Sequence, residues 1–339
     1  MADRPDPARN DGQEPREGGG MTHAIVVIPV YNAAGTLRRC VRSALRQRDV
    51  RITIVAVDHG STDGSADLVR HIGSAHHQLQ LIELRRAADE RRSPCRPLNV
   101  GVDAALSLAE EPASTWIYRL DTDDVLRSDT SIATQLARGE RAELITSTLV
   151  FFDKRKRLAF EYGVLVGSAN AAVKRLDLVS VAHHASAMRA DLVATVRSAW
   201  GCCYDERLLY AEDVDLTCKL VQCAGKAGCR PVPEPLCYKQ LSGETLTEST
   251  PVAGVAKSYQ IIRRQHPLLG RRYVARDLWE LGAGRVVGAT IARRLARGRL
   301  GRAGHPSHYP FAAVARRLGE LEADWDGLET DGGRACGQR

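Results

Sequence analysis

Hydrophobic positions along this chain change period repeatedly, and the changes mark out strands alternating with helices. Residues 24–30, Ala-Ile-Val-Val-Ile-Pro-Val, form a short unbroken apolar run rich in β-branched side chains, as expected of a strand buried on both faces of a parallel sheet. Tyr31-Asn32-Ala33-Ala34-Gly35 turns the chain, and Thr36 can cap a helix whose apolar positions Leu37, Val41, Ala44 and Leu45 recur at helical spacing. The unit repeats with a strand at 52–57, the polar turn Asp58-His59-Gly60-Ser61-Thr62-Asp63-Gly64, and a helix carrying Ala66, Leu68, Val69 and Ile72. A third strand is predicted at 80–84, a helix at 97–108 and a fourth strand at 115–120. This rhythm predicts a parallel, right-handed βαβ sheet whose ligands gather at the carboxyl ends of the strands. Beyond it, 144–152 reads as a strand, 214–224 as a helix, and the pattern from Val255 onward as helical.

Composition adds limits. With 339 residues and 44% hydrophobic content the chain can bury a large core, and at 5% aromatics that core rests on Ala, Val, Leu and Ile. Residues 1–21 and 329–339 carry the composition of a disordered leader and tail. No secretory apolar core and no run of about eighteen apolar residues occurs, so a cytoplasmic protein is expected. The nine cysteines are odd in number and scattered, which favours reduced thiols; Cys218, Cys223, Cys229 and Cys237 lack the paired spacing of a zinc site. The net charge of +7 is concentrated at the C-terminal end, where the arginines from Arg263 to Arg317 face only Asp277 and Glu280.

The chemistry begins at Asp121-Thr122-Asp123-Asp124, directly after the fourth strand. Alone, such a cluster usually marks a solvated loop or a helix cap; at a sheet edge its oxygens suit a hard divalent cation and a diphosphate. Three further elements point to the same edge: Pro29-Val30-Tyr31-Asn32, Asp58 to Asp63, and Glu212-Asp213 at the start of the 214–224 helix. In this order and spacing the four resemble the family 2 glycosyltransferases of the GT-A fold, with similarity over residues 24–247.

The resemblance implies an α/β GT-A fold: a mostly parallel Rossmann-like sheet flanked by helices, spanning 22–250, with a nucleotide-binding half at 22–125 and an acceptor-binding half at 126–250. Residues 251–328 would form a basic helical extension. It implies Asp123 as principal ligand of Mg2+ or Mn2+, with Asp121 beside it on the metal or the donor ribose, and Asp124 as a ligand or a cap. Pro29, Tyr31, Asp58, His59 and Arg96 would line the donor, Asp213 would be the catalytic base, and Glu212 and Trp200 would hold the acceptor. Structural readings stand beside these: a rigid strand exit for Pro29 and Tyr31, a solvated helix start for Arg96, core packing for Trp200, and helix-dipole partners for Glu212 and Asp213. Two departures stand out. His59 replaces the second acid that family members commonly carry, and Leu241 stands where some have a metal-binding histidine, leaving Lys239 or Ser242 to meet phosphate. The adjacent His183 and His184 point to opposite sides of a strand, which argues against a paired metal site.

The implied activity is inverting, metal-dependent transfer of a sugar from a nucleoside diphosphate, UDP favoured, to an acceptor hydroxyl of a glycan, glycolipid or small metabolite, by a hexosyl- or N-acetylhexosaminyltransferase. The rivals are a nucleotidyltransferase, which the lack of a basic Gly-rich loop after the first strand disfavours, and a nonenzymatic protein binding nucleic acid or membrane through its basic helices. We read those helices as a solvated cover, with peripheral membrane contact second and no nucleic-acid partner.

Overall fold

The computed structural model describes residues 21–87, 90, 93–139, 141–162, 184, 186–225, 227–240, 251–267 and 307–323. Residues 1–20 of the expected leader, the expected tail, the arginine-rich stretch at 268–306, His183, Leu241 and Ser242 lie outside these residues. The chain begins with β1 (His23–Val30), α1 (Ala34–Leu45), β2 (Arg51–His59), α2 (Ser65–Ala75), β3 (Leu79–Leu84), α3 (Cys95–Ser107) and β4 (Thr115–Arg119). It continues with β5 (Val125–Leu126), α4 (Ser131–Arg138), β6 (Leu144–Asp153), β7 (Leu158–Tyr162), β8 (Ser186–Arg189), α5 (Ala190–Trp200) and α6 (Glu212–Ala224). β9 (Cys229–Gln240), α7 (Val252–Gln265), β10 (Ser307–His308) and α8 (Phe311–Ala323) complete it.

The sheet runs β10-β7-β6-β8-β4-β1-β2-β3. β3, β2, β1 and β4 are parallel neighbours, as the alternation predicts. The other half is mixed: β8 lies antiparallel between β4 and β6, β7 pairs antiparallel with β6, and β9 runs parallel to β6 while pairing antiparallel with β5. The short turn between β6 and β7 permits only an antiparallel pair. β2 also extends past its predicted end, because Asp58 and His59 stay in register with Glu83 and Leu84 of β3. They are strand residues, both almost fully buried.

Side-chain alternation on β1 builds two cores. Ile25 and Val27 join Val55, Val57 and Ile117 under α3, α5 and α6, whereas Ala24, Val26 and Ile28 join Ile54, Ala56 and Tyr118 under α1 and α2. Val255, Tyr259 and Ile262 of α7 belong to the first core, so this helix shares the interior of the sheet. A third cluster places Val314, Leu318 and Leu321 of α8 against Val150, Phe152 and Tyr238. The described cysteines are all free thiols.

α6 is anchored by a buried polar network. Lys219 Nζ lies 2.8 Å from Asp215 Oδ2 one turn away and donates to the Cys203 carbonyl at 3.1 Å. His266 Nε2 meets Asp215 Oδ1 at 2.8 Å, while its Nδ1 pairs with Gln222 Nε2 at 2.8 Å. An amide nitrogen can only donate, so Nδ1 accepts and the imidazole carries its proton on Nε2, facing Asp215.

α3 crosses the sheet at Gly101, where a Cβ would overlap Val27 Cγ1 and press on Val57 Cγ2 at 3.2 Å. Both valines are short, branched and buried, so neither can yield. Gly101→Val is therefore expected to lower the unfolding free energy by about 2 kcal/mol or more, seen as a lower urea midpoint at unchanged m-value.

Candidate active site

The exits of β1 and β2 are cross-braced. Asn32 has φ 45°, a region asparagine tolerates; its N–H donates to Ser61 Oγ at 3.0 Å and its Oδ1 accepts from the Thr62 N–H at 2.8 Å. Asp63 accepts from the Ala34 N–H at 3.0 Å. Gly60, at φ +73° with Arg86 Cβ only 2.9 Å from where its own Cβ would stand, allows the tight turn after His59. The N–H groups of Gly60 and Ser61 both donate to Asp58 Oδ2, at 3.1 and 3.0 Å. Asp58 Oδ1 is buried with no hydrogen-bond partner among the described residues, an acceptor suited to a ribose hydroxyl or a base N–H.

His59 Nε2 lies 3.0 Å from Glu90 Oε1. Burial lowers the His59 pKa, and although Glu90 opposes this, Arg96 and Arg86 reinforce it, so the imidazole is neutral near pH 7. Arg96 holds both oxygens of Glu90, at 3.1 and 3.0 Å. Glu90 thus joins two residues expected to line the donor. Tyr31 lies beneath the Arg86 guanidinium, 4.8 Å from its ring centroid, and Pro29 pairs with Val57 in the ladder just before Asp58.

On the far side of β1, β4 delivers the acids. The register pairs Val30 with Asp58 and Val27 with Arg119, so Asp58 and Asp121 flank β1 roughly 10 Å apart, two strand spacings. Asp121, Asp123 and Asp124 each offer an oxygen within 4.8 Å of the others. Asp121 is surrounded by cations and donors: Arg119 Nε at 2.8 Å, His184 Nε2 at 2.9 Å and Lys239 Nζ at 3.3 Å. Burial opposes its ionisation, but Arg119, His184 and Lys239 together hold the carboxyl well below the usual range. Lys239 also reaches Asp124 Oδ2 at 3.1 Å. Burial works against the lysine's charge, yet Asp124, Asp121 and Asp123 outweigh it and keep the ammonium protonated. Burial and Lys239 push His184 down to about 4, so it is a neutral donor to Asp121.

Asp124 is fully buried, and its Oδ1 has no hydrogen-bond partner among the described residues. An orphaned buried carboxylate oxygen beside two further carboxylates fits a hard divalent cation. Asp123 and Asp124 Oδ1 are the oxygens best placed for such an ion, since Asp121 already serves Arg119, His184 and Lys239.

Arg119 also reaches across to α6, where its Nη1 meets Glu212 Oε1 at 3.0 Å. One guanidinium therefore connects the acidic cluster to the Glu212-Asp213 pair. Ala211 just before them is at φ 59°, a left-handed conformation that costs a non-glycine residue about 1 kcal/mol and fixes how α6 begins. Burial, seconded by Glu212, pushes the Asp213 carboxyl up to about 6, with Arg119 pulling the other way. Trp200 stands apart from these acids, its ring 5.2 Å from His266 and 5.8 Å from Lys219 Nζ.

With this geometry established, the glycosyl transferase family 2 model matches residues 25–196. The chain belongs to that family. It is 27% identical over 212 residues to the succinoglycan biosynthesis protein ExoO of Rhizobium meliloti, covering 60% of this chain and 57% of that one. Glycosyltransferase GlyA of Streptococcus pneumoniae is 29% identical over 105 residues, 31% of this chain and 13% of that protein. The chain thus spans little more than half the length of the first relative and much less of the second. The S. aureus TarS 1–349 structure in complex with UDP-GlcNAc superposes with a TM-score of 0.52 at 18% identity, covering 71% of this chain and 64% of that one. The fold is GT-A, mixed α/β with a curled sheet and flanking helices. Among the described residues no helix is long and apolar enough to cross a membrane.

Arg119, His184 and Glu90 are the site residues that motif reading missed. A lone arginine inside the buried run Trp116-Ile117-Tyr118-Arg119-Leu120 was the available signal, because a buried guanidinium requires carboxylate partners. Arg119→Met would leave Glu212 and one side of Asp121 without their counter-charge. It is expected to cost about 3–5 kcal/mol of stability by chemical denaturation, with Arg119→Lys only partly restoring it because an ammonium cannot fork to both acids.

Proposed function

We propose that this chain is an inverting glycosyltransferase that uses Mg2+ or Mn2+ to move a hexosyl or N-acetylhexosaminyl group from a nucleoside-diphosphate sugar to an acceptor hydroxyl. The carrying observation is the Arg119 bridge, which ties Asp121 of the acidic cluster to Glu212, the chain neighbour of Asp213, whose pKa is raised to about 6. A UDP-sugar is the favoured donor; the TarS structure of the same fold is in complex with UDP-GlcNAc. The acceptor is a hydroxyl of a glycan, glycolipid or small metabolite.

Asp58 Oδ1 would accept from the ribose or base, with Tyr31 and Pro29 alongside, while neutral His59, 3.0 Å from Glu90, would face the base in place of a second acid. A divalent cation on Asp123, Asp124 and Asp121 would neutralise charge on the departing diphosphate. Lys239 keeps a positive charge beside those carboxylates and would add to that neutralisation. Asp213 would take the proton of the acceptor hydroxyl as it attacks the face opposite the leaving nucleotide, and Glu212, fixed by Arg119, would position that hydroxyl. Peripheral membrane contact would fall to the basic segment beyond Thr250.

The test is a panel of nucleotide sugars with Mg2+ or Mn2+, scored for binding and slow hydrolysis, on the native protein and Asp123→Ala. Binding of at least one donor that weakens in the variant is expected. Failure of every donor to bind, with metal and nucleotide affinity unchanged in the variant, overturns the reading.

Asp213 also sets a pH profile. At pH 7 a carboxyl with a pKa of about 6 is mostly ionised and able to accept a proton; below that pKa it is protonated and cannot. The value of kcat/KM, which reports the free enzyme, should fall about tenfold per pH unit below pH 6 and level off above about 7. Asp213→Asn should lower kcat by about 10²–10⁴-fold with donor affinity retained, measured by titration with a nonhydrolysed nucleotide.

A further inference from the structure

Behind the carboxylate cluster, on the other side of β9, lies a groove of about 300 Å³ lined by Arg46, Arg48, Arg127, Arg316 and Arg317, with only Asp129 and Glu320 as acids. It is formed where the end of α1, the segment between β5 and α4, and α8 converge. Asp129 is already neutralised twice, by Arg46 Nη2 at 3.0 Å and Arg317 Nη2 at 2.7 Å. Glu320 lies 3.6 Å from Arg317, its neighbour one turn earlier. Both acids are therefore spent on residues of the groove itself.

The floor is built rather than incidental. Arg317 is 6% exposed, and its Nε donates to the Leu126 carbonyl at 3.3 Å; Arg127 Nε is fixed on the Pro235 carbonyl at 2.8 Å. Buried Arg42, behind them, donates to the Leu321 carbonyl at 3.0 Å. Its pKa is lowered by burial and then by Arg46 and Arg317, the mark of positive charge crowded at one place. At the rim, Arg48 and Arg316 are exposed and make no ion pair among the described residues. Two guanidinium groups without carboxylates stand over anchored ones, next to the hydroxyls of Ser128, Thr130 and Tyr238. Planar guanidinium forks match the oxygens of a phosphate, and hydroxyls complete its hydrogen bonds.

We propose that this arginine groove is a binding site for a phosphate-bearing anion, separate from the donor site. Its volume admits one or two phosphate groups, and Arg48 and Arg316 supply charge that no carboxylate among the described residues pairs with. The phosphate could be that of a soluble compound or of an anionic lipid headgroup. The site does not depend on the catalytic reading, because none of its lining residues belongs to the donor or acceptor acids.

The test uses the full chain in EDTA at fixed ionic strength, so that divalent-dependent donor binding is silent. Inorganic phosphate and pyrophosphate are titrated by calorimetry, and vesicles containing phosphatidate are assayed by co-sedimentation, on the native protein and on the Arg48→Glu, Arg316→Glu double variant. Both positions are exposed and make no ion pair among the described residues, so the variant should keep the native Tm, which a thermal melt in chloride checks. Binding of phosphate or pyrophosphate that weakens about tenfold or more in the variant assigns a soluble ligand. Vesicle binding lost in the variant, without soluble phosphate binding, assigns a headgroup. If neither probe distinguishes native protein from the variant, the proposal is wrong. Donor affinity in Mn2+ should be the same in both proteins, which separates failure here from failure of the catalytic reading.

Discussion

The structure turns on one electrostatic constraint: five acids, Asp121, Asp123, Asp124, Glu212 and Asp213, converge at one edge of a sheet, largely out of water, and cannot all be ionised without cations among them. Arg119 and Lys239 meet that requirement from opposite sides. Arg119 comes from the centre of the sheet and forks between Asp121 and Glu212; Lys239 comes from the end of β9 and spans Asp121 and Asp124. The supply is incomplete. Burial, the largest cause, raises the Asp123 carboxyl and raises Asp124 well above its ordinary value, with neighbouring acids adding to it against Lys239, and a divalent cation beside them would favour their ionised forms.

The same constraint sorts acids that lie two residues apart on one helix. Asp215 is fully buried but charge-paired, with Lys219 Nζ 2.8 Å from one oxygen and His266 Nε2 2.8 Å from the other, so it serves to lock α6 against α7. At Asp213, burial and Glu212 raise the pKa to about 6, and the side chain accepts from the Val214 N–H. Environment rather than residue type separates them: one acid is held by two partners, the other has its pKa raised to about 6. Ala211, at φ 59°, fixes how the helix carrying both acids begins.

The sequence made the first half of this arrangement readable because its strands are buried on both faces and therefore written as unbroken apolar runs. β1, β4 and β6 announce themselves, and the polar residues that follow β1 and β4 mark the edge where ligands gather. The later strands were harder. β5 and β8 are too short to show a period, β9 contains Pro231, Pro233 and Pro235 that mask its pattern, and β2 hid its last two residues behind a polar sequence that the ladder with β3 holds in place. Contacts between distant segments were illegible for a different reason. Nothing local tells that Glu90 ties His59 to Arg96, or that His184 reaches Asp121, since each pairing exists only after strand order has been set.

Strand order also explains why the arginine groove and the acidic cluster are neighbours without sharing residues. Successive side chains of a strand point to opposite faces, so Tyr238 lines the groove while Lys239 enters the cluster. β5 repeats the division, with Asp124 directly before it in the cluster and Arg127 directly after it in the groove, and the two strands pair through Val125 with Tyr238 and Leu126 with Cys237. A basic surface and an acidic one are thus held back to back by a ladder of two residue pairs. Each carries its own counter-charges: Asp129 lies between Arg46 and Arg317 on one face, and Lys239 between Asp121 and Asp124 on the other. Val125 packs with the α8 cluster and Leu126 and Cys237 with the cluster under α1, so buried apolar side chains lie on both faces of this ladder and each ion pair beside it acts near a low-dielectric interior, where it is stronger than in water.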